Sequence, residues 1–150
     1  MTERSPAVKA ADVRDAALRL LARREHSFRE LQRKLGQRGW PGEMVDEVVS
    51  QLADEGLQSD DRFAESFVRS RSLKAYGPIR IRAELNERGI DRSQVDKALR
   101  ESDADWFAIA ARWYQRRYGD GPVDNLKEKS RRQQALARRG FDHGIIRELV

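Results

Sequence analysis

The chain has 150 residues, 39% hydrophobic and 37% charged, with a net charge of +5 and no cysteine. The absence of cysteine excludes a disulfide framework and thiolate zinc sites and suits a reducing compartment. No apolar run approaches the roughly 18 residues of a membrane span, and no signal-peptide core opens the chain; the expected location is cytoplasmic, with no membrane contact.

Residues 1–6 carry no periodicity and are expected to be disordered. Helical spacing runs from Ala7 to Arg24, with Val13, Ala17, Leu20 and Leu21 on one face. Ser27 and Glu30 form a capping-box pattern. Leu31 and Leu35 share the next face until Gly36 or Gly39 ends the helix. Pro41 fits the first turn of a third helix, striped by Met44, Val45, Val48, Val49 and Leu52 and stopped by Gly56. Asp60 or Asp61 is the expected cap of a helix carrying Phe63, Ala64, Phe67 and Val68. Gly77-Pro78 restarts the chain, and Ile81 and Leu85 define the following face. Phe63 and Phe67 are expected to face Leu85 and Leu99. Asp91 is placed as the cap of a helix with Val95, Ala98 and Leu99. Asp103 or Asp105 opens a helix with Phe107, Ala110, Ala111 and Tyr114, broken at Gly119. Another helix runs to Arg139, and Asp142 caps a short last one. No alternating β-branched run exists, so no strand is expected.

One phrase occurs three times: Leu35-x-x-Arg38-Gly39-Trp40, Leu85-x-x-Arg88-Gly89-Ile90 and Leu136-x-x-Arg139-Gly140-Phe141. Its glycines lie 50 and 51 residues apart (89 − 39 and 140 − 89). A repeat at this period means tandem copies of one supersecondary unit. The expected fold is therefore all-α: an elongated array of three three-helix modules, over 7–59, 60–102 and 103–150. Such arrays offer extended surfaces rather than one catalytic cleft. A glycine just past a helix takes the left-handed conformation freely. Trp40, Ile90 and Phe141 then fold back as core staples.

Residues 106–150 hold ten basic and five acidic side chains, which is the whole net charge of +5. A localised basic excess points to a polyanion partner. The second helix of each module is basic, whereas the third helix of module one carries Glu43, Asp46, Glu47 and Asp54. Phosphates would repel that helix, which argues against a helix-turn-helix in a major groove. No phosphate loop, metal-ligand spacing or nucleophile elbow occurs. His26 and His143 fall at unrelated module positions. The expectation is a protein that is not an enzyme, with no catalytic residue, no metal and no cofactor.

The stretch from Asp61 to Arg71, and that from Tyr76 to Ile90, resemble the central motif of the RecX family, bacterial modulators of the RecA recombinase. The resemblance runs from about Val13 to the end of the chain. It departs at Trp40-Pro41-Gly42 and at the polar Gln133-Gln134. It implies tandem three-helix units, a monomer, that bind RecA filaments and inhibit strand exchange, ATP turnover and co-protease activity. DNA would be met directly or within the filament. The alternative is a protein that binds single- or double-stranded DNA on its own. Candidate contact residues are Arg69, Arg71, Tyr76, Arg80 and Arg82 in the motif. Arg131, Arg132, Arg138 and Arg139 are the candidates in the basic third module.

Overall fold

The computed structural model describes residues 6–150, and among these it contains nine helices and no strand. They are α1 (Pro6–Arg23), α2 (Phe28–Gly36), α3 (Gly42–Asp54), α4 (Asp60–Leu73), α5 (Pro78–Glu87), α6 (Arg92–Glu101), α7 (Trp106–Tyr118), α8 (Leu126–Arg139) and α9 (His143–Leu149). The segment expected to be disordered lies, up to residue 5, outside the described residues; α1 begins at Pro6. The helices form three successive cores. Leu31, Leu35, Val45, Val49 and Leu52 close on Val13 and Ala17 of α1. Phe63, Val68, Ile81, Leu85, Ile90 and Val95 form the second. Ala110, Tyr114, Leu136, Phe141 and Ile146 form the third, smaller one.

The caps follow their chemistry. Ser27 accepts from the Glu30 amide, and the Glu30 carboxylate reaches back to the Ser27 amide, completing the capping box. Asp105 caps α7, Asn125 caps α8 and Asp142 caps α9. Three of the expected helix starts change. Pro41 is the N-cap of α3, whose first turn begins at Gly42. Ser59, not Asp60 or Asp61, caps α4, by accepting from the Arg62 amide. Asp60 is thereby released to accept from Phe28 N–H and from Gln58 Nε2, both at 2.9 Å. Asp91 occupies the N-cap of α6, yet its carboxylate takes Ser93 Oγ instead of a helix amide. Phe63 and Leu85 meet in the second core as expected, but Phe67 and Leu99 sit at its edge, only half-buried.

The three repeated glycines share one conformation, with φ of 89° at Gly39, 80° at Gly89 and 101° at Gly140. Each turn sends its next residue inward. Ile90 and Phe141 are buried, and Trp40 packs against the first core.

The joint between the first and second modules is a buried polar knot. Ser27 Oγ donates to Arg88 O at 2.8 Å, and Gln58 Nε2 donates to His26 O at 3.2 Å. His26 itself is almost wholly buried. Its Nδ1 lies 3.0 Å from Arg24 O, and a carbonyl can only accept, so Nδ1 carries the hydrogen. Nε2 is left to accept from Lys34 Nζ at 3.0 Å. Burial, then the nearby Arg24 and Lys34 charges, hold the imidazole below its ordinary value of 6.5. A group held low in the folded state binds fewer protons there than when unfolded. Stability is therefore full above about 6.5 and falls as pH drops through the window just beneath it. Glu30, kept low by Arg24 and the Ser27 amide against its own burial, loses stability in the same direction but only below its ordinary 4.5. Urea midpoints should therefore decline between pH 7 and 5, and His26→Gln should flatten that decline. An equal decline in the variant would remove His26 as its source.

Candidate polyanion-binding surface

The joint between the second and third modules accounts for four of the nine candidate residues. α4 ends at Leu73, and Ala75 turns to a positive φ of 63°, which leaves the carbonyls of Lys74 and Ala75 pointing away from any helix. Arg139 fills both: Nε donates to Ala75 O at 2.9 Å and Nη2 to Lys74 O at 2.6 Å. Its guanidinium also stacks on Tyr76 at 4.4 Å and on Trp113 at 5.0 Å. Arg80 lies at 4.4 Å and Arg71 at 5.4 Å from the same tyrosine ring. Glu84 anchors Arg71 at 2.7 Å. The backbones close the joint. Gly77 N–H donates to Arg139 O at 2.7 Å, and Ile79 N–H donates to Gly140 O at 3.0 Å. Tyr76, Arg80 and Arg139 thus hold the third module on the second, and Arg71 braces Tyr76 from within the second.

The repeat makes this assignment sharper. Arg88 stands where Arg139 does, one module earlier. Its guanidinium donates to Glu84 O at 3.0 Å and stacks on Phe67 at 4.8 Å, both inside its own module. Only the Arg139 copy reaches across. Arg139→Lys keeps the charge but loses the planar fork that meets two carbonyls at once. We expect it to cost about 1–3 kcal/mol, read as a lower melting temperature. Arg138→Lys, one residue away on an exposed site, should melt like the parent.

Three more candidates are engaged in ion pairs. Arg82 pairs with Asp96, and its hydrogen bond holds that carboxyl below the usual carboxylate range. Arg132 bonds Glu128 at 3.2 Å and Tyr114 Oη at 3.1 Å and stacks on Tyr118 at 4.5 Å. Arg131 has only a loose contact with Glu128, at 3.5 Å, and is 66% exposed. Arg69 and Arg138 are exposed and make no ion pair among the described residues.

Arg69 and Arg138 have company that the sequence reading passed over. Arg112, Arg116 and Arg117 of α7 are exposed and likewise without an ion pair among the described residues. Arg80, Arg117, Arg131 and Arg138 line a cleft of about 750 Å³, with Trp113 and Tyr118 as aromatic walls. The signal was present as arginines interleaved with aromatics from Trp113 to Tyr118. This cleft, with Glu128 as its one acidic wall, can attract extended anions; Arg69, Arg112 and Arg116 line a second groove, shared with Glu65, Glu101, Asp103 and Asp105. Among the described residues, no group of three or more His, Cys, Asp or Glu side chains is placed to hold a metal ion. No described helix is long and apolar enough to cross a membrane.

Comparison with known proteins agrees over all three modules. Residues 14–52, 59–99 and 103–150 match the family models for the first, second and third three-helix domains of RecX. A Regulatory protein RecX of Pseudomonas entomophila is 45% identical over 138 residues, covering 92% of this chain and 89% of the relative. Another, from Halorhodospira halophila, is 46% identical over 147 residues, covering 98% of this chain and 90% of the relative. The crystal structure of RecX from Lactobacillus salivarius shares the fold, with a TM-score of 0.79 at 24% identity over 95% of both chains. With every module accounted for in order, the chain belongs to the RecX family of regulatory proteins.

Proposed function

We propose that the chain is a non-enzymatic regulator that binds RecA nucleoprotein filaments and inhibits recombinase, ATPase and co-protease activity. The observation that carries this reading is the match of all three modules, in order, to RecX domains. The fold supports it physically. A tandem array held by two joints presents one long surface, as contact with several protomers of a filament requires. The unpaired arginines of α7 and Arg69 supply the charge that a nucleoprotein attracts. Tyr76, Arg80 and Arg139 contribute by holding that surface together.

A second reading, direct DNA binding, is favoured by the basic excess of residues 106–150. One pair of measurements separates the two. Arg69→Glu with Arg116→Glu should abolish retention of the chain on RecA–DNA filaments, with an unchanged melting temperature. If retention falls while naked single-stranded DNA is still bound, the filament itself is recognised. If both fall in parallel, the chain acts through DNA.

A further inference from the structure

The two ends of the array carry charged stripes of opposite sign in one register. On α3 stand Glu43 and, four, seven and eleven residues later, Glu47, Ser50 and Asp54. On α8 stand Lys127 and, at the same three intervals, Arg131, Gln134 and Arg138. At 3.6 residues per turn, these offsets bring each set onto one line along its helix. All eight residues are exposed. The segment from Gly42 to Glu55 has five carboxylates and no basic side chain. Glu43, Glu47 and Asp54 make no ion pair among the described residues, nor do Lys127 and Arg138. No ion pair joins α3 to α8 within the chain.

We propose that these stripes are the two halves of a head-to-tail contact between copies of this chain. The α3 of one copy lies along the α8 of the next, in parallel. That register pairs Glu43 with Lys127, Glu47 with Arg131 and Asp54 with Arg138, and sets the two uncharged positions, Ser50 and Gln134, opposite each other. Antiparallel packing would put Glu47 against Gln134 and Arg131 against Ser50, and so keep only two of the three pairs. The contact joins unlike surfaces, so it does not close into a dimer and instead propagates along a row. Exposed ion pairs are individually weak. The free chain is therefore a monomer at physiological salt, and the contact forms at low salt or where a scaffold holds copies side by side. Arg112 and Arg116 on α7 line a different groove from Arg131 and Arg138.

The test uses the full chain alone, without RecA or DNA, so its outcome is independent of the filament reading. Sedimentation velocity is run over a concentration series at about 20 mM and about 300 mM salt, between which the screening length falls from roughly 20 Å to under 10 Å. At low salt the parent chain should sediment faster as its concentration rises, and at high salt it should not. Glu43→Lys with Glu47→Lys should weaken association by roughly tenfold or more, since like charges now meet. Lys127→Glu with Arg131→Glu should do the same. An equimolar mixture of the two variants should associate again, because each supplies the stripe the other lacks. Any of three results overturns the proposal: a parent that is monomeric at every concentration and salt, a variant that associates like the parent, or a mixture that stays monomeric.

Discussion

Gly140→Ala is expected to cost about 2–5 kcal/mol and to loosen the third module from the second. Two effects add. The left-handed φ of 101° penalises any residue with a Cβ, by about 1–2 kcal/mol. The new methyl would also lie 2.5 Å from Arg80 Cβ, 2.6 Å from Arg80 N and 2.9 Å from Gly77 O. Two of those three atoms are backbone and cannot swing aside, which adds about 1–3 kcal/mol of overpacking. Gly39→Ala separates the two effects. Its φ of 89° is also left-handed, yet nothing lies within 4 Å of the position its Cβ would take. It should cost only the conformational share, about 1–2 kcal/mol. Equal urea midpoints for the two variants would mean that the joint yields without resistance.

Phe63→Ala should cost about 3–5 kcal/mol. The ring is 3% exposed and fills the second core among Ile81, Leu85 and Val95. Its neighbour Phe67, with a ring centroid 5.7 Å away, lies at the core edge beneath Arg71 and Arg88. Phe67→Ala gives up partial burial and two cation–π contacts, about 1–2 kcal/mol together. Chemical denaturation of both variants reads the difference. A larger loss at Phe67 would place the centre of this core on the wrong side of α4.

Much of this fold is written in short-range chemistry. The Arg-Gly-apolar phrase fixes a left-handed turn by sterics alone, and all three copies adopt it. The Ser27–Glu30 box is equally local, since both partners lie within one helical turn. The exchange of Ser59 for Asp60 at the α4 cap was not legible. Asp60 is drawn away by the Phe28 amide, 32 residues distant, which no local pattern reveals. The site was harder to read for the same reason. Arg71, Tyr76 and Arg80 look like an interface set because arginine and tyrosine suit interfaces, and Arg139 looks like part of the basic patch. The chain uses the same chemistry internally. The carbonyls that attract Arg139 lie 64 and 65 residues away and are exposed only by the turn at Ala75. Sequence pattern placed the basic excess in residues 106–150; the division between joint, paired and unpaired arginines required the packing.

The rate of ATP hydrolysis by RecA on single-stranded DNA, followed as the chain is titrated in, tests filament regulation most directly. We expect the rate to fall to a low plateau, and Arg139→Lys to shift that fall to higher chain concentration by loosening the joint. A rate that stays flat while the chain saturates the same DNA would contradict filament regulation and leave direct DNA binding in its place.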